Sequence, residues 1–132
     1  MDTIECINSK RSIRAYEETQ IPYETVMELL TLGTKASTGS NHQPWGFVVI
    51  QDAREIEDLS KNIKAYLLEN LEKYPYLSQY EAWLQSEKYS IFNNASTLIV
   101  VYGNTDSHWY IYDCTLAAGN IMLAAYSKEI GR

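Results

Sequence analysis

The chain has 132 residues, 11 Lys and Arg against 17 Asp and Glu, a net charge of −6 and 45% hydrophobic residues, which is one compact domain and leaves no room for a second. The acidic balance, without a Lys/Arg stripe, weighs against general nucleic-acid binding, although a local anion site stays open. Cys6 and Cys114 are the only cysteines, so neither a thiolate metal site nor a disulfide scaffold is expected; charges replace any signal-type apolar run near the start, and LIVVY is far short of a membrane span, which reads as cytoplasmic.

Asp2 can cap a short opening helix in which Ile4 and Ile7 share a face, leading into Lys10, Arg11 and Arg14. Pro22 suits the first turn of the next helix and Glu24 its positive end, while Val26, Leu29, Leu30 and Gly33 form a buried stripe in which Gly33 allows close packing. The stretch from Ala36 to Trp45, ASTGSNHQPW, has neither helical nor strand period and predicts a shaped loop. Phe47 to Ile50 predicts a strand covered on both faces. Asp52 with Glu55 has capping-box spacing, and Ile56, Leu59, Ile63, Leu67 and Leu71 predict a long amphipathic helix up to Pro75.

From Tyr76 to Tyr89, helical spacing of Leu77, Tyr80, Trp83, Leu84 and Glu87 predicts a further helix whose aromatics cover a groove or, as the blander reading, cap the core. Thr97 to Tyr102 is the clearest buried strand, closed by Gly103. The helix from about Trp109 through Ala125 carries apolar residues on most sides, which predicts a central buried spine. Strand, helix, helix, strand, helix calls for another strand after Glu129, yet the sequence stops at Gly131-Arg132; either the chain is truncated or a segment from elsewhere, such as a partner, completes the sheet.

Arg11 and Arg14 lie three residues apart with Ser12 between them, so on a helical turn both guanidiniums reach one oxyanion and Ser12 adds a hydrogen bond. The competing reading is a solvated basic patch paired with Glu17 and Glu18. In the loop, Gly39 gives backbone freedom, Asn41 and Gln43 give amides, and Pro44-Trp45 a rigid corner before a strand. Such a ledge suits a flat polar ring, or simply satisfies its own turns. His42 and His108 lack metal-ligand spacing, GxSxG is absent, and Cys114 inside an apolar helix is expected to pack rather than react. Asp113 is read as helix surface, with pairing to one of the arginines as the alternative.

RSIRAY from Arg11 to Tyr16 and ASTGSNHQPWGF from Ala36 to Phe47 together resemble the flavin-dependent nitroreductase family. LIVVYG from Leu98, Asp113 and the helix through Ala117-Ala118-Gly119-Asn120 extend the likeness over nearly the whole chain. The resemblance implies an α+β sandwich, with a central antiparallel or mixed sheet flanked by helices, as a single domain over 1–132 that lacks the C-terminal part of the family fold. It also implies an intertwined homodimer with FMN at the interface.

By that likeness Arg11, Ser12 and Arg14 hold the FMN phosphate and ribityl side, and Ser37, Thr38, Gly39, Ser40 and Asn41 approach the flavin from the other subunit. Ser37-Thr38 stand where the family usually has Pro-Ser, which keeps a hydroxyl, and Glu129 to Arg132 stand where relatives resemble Gly-Leu-Gly-Ser. The implied activity is electron transfer from NADH or NADPH through FMN to nitroaromatics, quinones or similar acceptors, without a triad-like catalytic residue and without a metal. The alternatives are a non-catalytic or fragmentary dimer lacking a complete FMN site, and a small interaction module using the Tyr-rich region 66–89.

Overall fold

A computed structural model describes residues 1–131. The chain forms two compact units, one from Met1–Ile13, Gln20–Val49 and the segment from Ile99 onward, the other from Arg14–Thr19 and Ile50–Leu98. No helix among the described residues is long and apolar enough to cross a membrane.

In the first unit, α1 (Thr3–Ser9) begins at Asp2, whose carboxylate accepts from Glu5 N at 2.8 Å, satisfying one of the free amides of a helix start. Its inward residue is Cys6; Ile4 and Ile7 share a face as expected, but that face is exposed. Helix α2 (Tyr23–Gly33) follows Pro22 and buries Val26, Leu29, Leu30 and Gly33, the stripe expected from spacing. These pack on Ile121 of α5 (Tyr110–Ser127).

Strands β1 (Trp45–Ile50) and β2 (Leu98–Gly103) form a two-stranded sheet. Asn104 N donates to Pro44 O at 2.8 Å and Tyr102 lies against Gly46, so the strands run antiparallel with Phe47 opposite Val101 and Val49 opposite Ile99. Those four side chains pack on the α2/α5 core. The opposite face is open, with Val48 46%, Val100 37% and Tyr102 55% exposed. This corrects the expectation of strands covered on both faces: a continuous β-branched run fits either environment.

Helix α5 differs from its expectation too. Asp113, Ala117 and Ile121, at i, i+4 and i+8, are buried, whereas Ile111, Tyr112, Leu116 and Met122 are exposed. It is a spine on one side only. Beyond it, no further strand follows among the described residues; Ile130 N bonds back to Ala125 O at 2.9 Å and Glu129 N to Tyr126 O at 3.0 Å, with Glu129 at φ 63°. That pattern is a Schellman stop, and Ile130 packs on the core as its apolar contact.

In the second unit, α3 (Ala53–Glu69) is capped by Asp52, which accepts from Arg54 N and Glu55 N. Its buried line is Ile56, Ser60 and Lys64, while Leu59, Ile63 and Leu67 are half-buried. Polar side chains go inward because the irregular connection after α4 (Glu81–Gln85) cannot satisfy its own backbone. Ser60 Oγ accepts from Ile91 N at 2.9 Å, and Lys64 Nζ donates to Ser86 O at 2.8 Å and Tyr89 O at 2.6 Å. Leu84 of α4 is buried.

The single helix expected over 76–89 is instead a 3-10 segment, Pro75–Tyr80, followed by α4. Rings of Tyr76, Tyr80, Trp83 and Tyr89 meet in sequence at centroid distances of 6.0, 6.3 and 5.5 Å. With Tyr76 72% and Trp83 59% exposed, these aromatics do not cap a core.

Candidate functional site

The loop between α2 and β1 contains one 3-10 turn, Gly39–Asn41, and places Ser40, Asn41 and Gln43 in the left-handed region at φ 53°, 56° and 48°. Such conformations disfavour residues with a Cβ, Asn least, so something must hold them. Within the loop, His42 N donates to Gly39 O at 3.2 Å, Gln43 N to the Thr38 hydroxyl at 3.3 Å, and Gln43 Nε2 to Asn41 Oδ1 at 3.2 Å. The hydroxyl that Thr38 retains is therefore used structurally.

The second support comes from the start of α5. Gly39 N–H points at the carboxylate of Asp113, 3.2 Å from one oxygen and 3.3 Å from the other. Asp113 is 4% exposed, so the surface reading of this residue is overturned. No Lys, Arg or His forms an ion pair with it among the described residues, which also removes the arginine alternative. One turn earlier, Trp109 packs against the same glycine: a Cβ on Gly39 would overlap the indole ring at Cδ1. Residues at i and i+4 share a helix face, so Trp109 and Asp113 grip one point of the loop together.

Above this grip Ser37, Ser40 and Asn41 are exposed while Thr38 and Gly39 are partly covered. Asn41 Oδ1 accepts from Gln43 Nε2, and its NH2 makes no hydrogen bond among the described residues. Beside the loop, His42 Nδ1 lies 3.3 Å from the buried Ser107 hydroxyl. An open depression of about 390 Å³ is lined there by His42, Gln43, Trp45, Gly46, Tyr102 and Asn104 among others.

The arginine motif has a different local form from the one expected. Helix α1 ends at Ser9, Lys10 is extended at ψ 132°, and no helical turn carries residues 10–22. Arg11 Nη1 donates to Asn8 O and Lys10 O, both at 2.9 Å, binding carbonyls at the negative end of α1. Arg11, Ser12 and Arg14 are exposed. Neither arginine is ion-paired with Glu17 or Glu18 among the described residues. Arg11 and Ser12 belong to the first unit and Arg14 to the second; no hydrogen bond joins Arg11 or Ser12 to the loop among the described residues.

Cys114 packs as expected, its Sγ 3.7 Å from Tyr102 O. Burial, and secondarily the Asp113 charge, push its thiol pKa up, the direction opposite to an activated nucleophile. The residues that spacing missed are Asp113 and Trp109. Their partner is 70 or more positions away in the chain, so the only local signal was a glycine inside a polar loop.

A model of the Nitroreductase family matches residues 7–131. A relative from Methanothermobacter thermautotrophicus, provisionally named NADH dehydrogenase/NAD(P)H nitroreductase, is 28% identical over 99% of this chain and 59% of its own length. An FMN-bound nitroreductase from Bacteroides fragilis superposes with a TM-score of 0.85 at 29% identity, over 97% of this chain and 66% of that one. An FMN-dependent nitroreductase from Clostridium difficile gives 0.82 at 31% identity, over 96% and 56%. The chain thus spans roughly three-fifths of the length of the proteins it matches.

Proposed function

The chain belongs to the Nitroreductase family, has that family's α+β fold, and on this premise we propose that it holds FMN and serves an NAD(P)H-dependent oxidoreductase acting on nitroaromatics, quinones or related acceptors. The observation that carries the proposal is the exposed, internally braced loop from Ser37 to Asn41, whose outward groups are hydroxyls and amides. In a chain with 17 acidic residues, none falls between Cys6 and Tyr16 or between Leu29 and Gln51. Both candidate motifs therefore lie in sequence stretches without acidic residues, which favours an anionic cofactor, the one carboxylate against the loop being that of Asp113, buried beneath Gly39.

The donor set fits the two ends of such a molecule. Arg11, Ser12 and Arg14 supply charge-assisted and hydroxyl donors for a phosphate and a polyol. Ser37, Thr38, Gly39, Ser40 and Asn41 supply backbone and side-chain groups for the ring edge, with Thr38 and Gly39 also fixing the loop. When bound, FMN supplies the two-electron chemistry between nicotinamide and acceptor. The protein's part is to bind, orient and shield, and no side chain here acts as a nucleophile.

The assembly we propose is a homodimer in which one copy's arginine motif and the other's loop serve one flavin. The exposed face of α5, with Ile111, Tyr112, Leu116 and Met122, supports pairing, because contiguous apolar patches on a surface mark association sites. At Gly119 on the same helix, a Cβ would meet nothing within 4 Å, which leaves space for another backbone. The test is a titration of the purified protein with FMN, followed by visible absorbance and by sedimentation. A yellow dimer supports the proposal; a colourless dimer that refuses FMN would point to a non-catalytic member of the family.

A further inference from the structure

We infer that Asp113 is a positioning residue that sets the height and orientation of the flavin-facing loop, with Trp109 as the stop against which it pulls. The inference rests on the FMN reading above. The carboxylate is almost wholly buried and spends both oxygens on a single backbone N–H, that of Gly39. A buried charge costs free energy unless it is matched, and among the described residues no cation matches it. Asp113 lies in the first turn of α5, where the helix's own positive end stabilises a carboxylate.

The geometry makes this contact more than a filler of space. Asp113 draws the Gly39 amide toward α5, and the indole of Trp109 limits the approach at contact distance, since even a methyl at Gly39 would overlap it. Two opposed constraints, one attractive and one steric, define a single position. Gly39 opens the turn that carries Ser40 and Asn41 in left-handed conformations, so displacement at Gly39 swings both outward groups. Among the described residues no hydrogen bond joins Asp113 to Arg11 or Ser12; its effect belongs to the ring end of the cofactor.

The experiment compares wild type, Asp113→Asn, Asp113→Ala and Gly39→Ala for FMN and riboflavin dissociation constants, with hydrogen exchange at the Gly39 amide in the flavin-free protein. We expect Asp113→Ala to accelerate Gly39 exchange and to weaken FMN and riboflavin equally, by about 10-fold or more, the scale of a lost charged hydrogen bond. Asp113→Asn, which keeps one acceptor oxygen, should recover part of both losses. Gly39→Ala should weaken both flavins alike with α5 untouched; if Asp113→Ala does not fold, this variant and Asp113→Asn decide. Faster Gly39 exchange with unchanged flavin affinity would overturn the positioning role, as would a loss confined to FMN. A wild type with a protected Gly39 amide that binds neither flavin overturns both the cofactor reading and this role, and reduces the contact to a structural clamp.

Discussion

Gly33 of α2 and Ile121 of α5 meet so closely that a Cβ on the glycine would fall 2.8 Å from Ile121 Cγ1 and 3.4 Å from Ala117 O. This contact fixes the spacing of the two helices against which Phe47, Val49, Ile99 and Val101 pack. It thereby sets the frame from which the loop and the start of α5 both project.

Gly33→Ala should lower stability by about 1–2 kcal/mol, because overpacking outweighs the better helix propensity of alanine. Adding Ile121→Val removes Cδ1, which the added Cβ would meet at 2.9 Å, while Cγ1 stays, so it should recover only part of the loss. Urea unfolding of the two single variants and the double variant measures the coupling; strictly additive losses would contradict the close contact.

Lys64 is 8% exposed and its ammonium holds Ser86 O and Tyr89 O. Lys64→Met keeps most of the length and abolishes both bonds, leaving two carbonyls unsatisfied. We expect a loss of about 2–4 kcal/mol and faster proteolysis within 86–97. A melting temperature equal to wild type would refute the bracing role.

Arg14→Ala should weaken FMN by roughly 10- to 100-fold, the range of a charge-assisted contact, while leaving riboflavin affinity nearly unchanged. Arg11→Ala should do the same and also loosen the end of α1, since its Nη1 holds Asn8 O and Lys10 O. Flavin fluorescence titrations with the two ligands separate phosphate recognition from general damage.

Burial and the neighbouring Asp113 raise the Cys114 pKa. The folded protein thus keeps this thiol protonated at pH values where the unfolded chain has begun to lose its proton. The contribution to stability is complete below the unfolded pKa and is lost as pH rises through the higher folded value. Alkylation of Cys114 in the folded protein should require more alkaline solution than alkylation in denaturant; equal pH profiles would contradict this.

Elements ruled by one strong local cause were legible in the sequence. Asp2 and Asp52 cap the helices they were expected to cap, and Val26, Leu29, Leu30 and Gly33 are buried as their spacing required. Both strands lie where β-branched runs placed them, β1 starting at Trp45 and β2 at Leu98. Periodicity failed where a pattern had two solutions. An apolar helix such as α5 does not tell which of its sides the same chain covers, and Ser60 and Lys64 go inward because of carbonyls and amides far along the chain.

The site was half legible. Residue types disclosed an anion grip and an amide-bearing loop, and the family resemblance joined them. The helical turn expected of Arg11 to Arg14 does not form, because α1 ends at Ser9 and Arg11 turns back on its carbonyls. Asp113 was misassigned to the surface because its partner is a backbone amide, which leaves no mark on composition.

One flavin shared between the arginine motif of one copy and the loop of another would show itself in a mixed dimer of Arg14→Ala and Asn41→Ala chains. Each homodimer carries a defect in both of its sites. If the motifs meet across the subunits, the mixed dimer has one doubly damaged site and one intact site, and it should bind a single FMN per pair of chains with wild-type affinity. A mixed dimer that binds FMN no better than either homodimer would contradict such sharing.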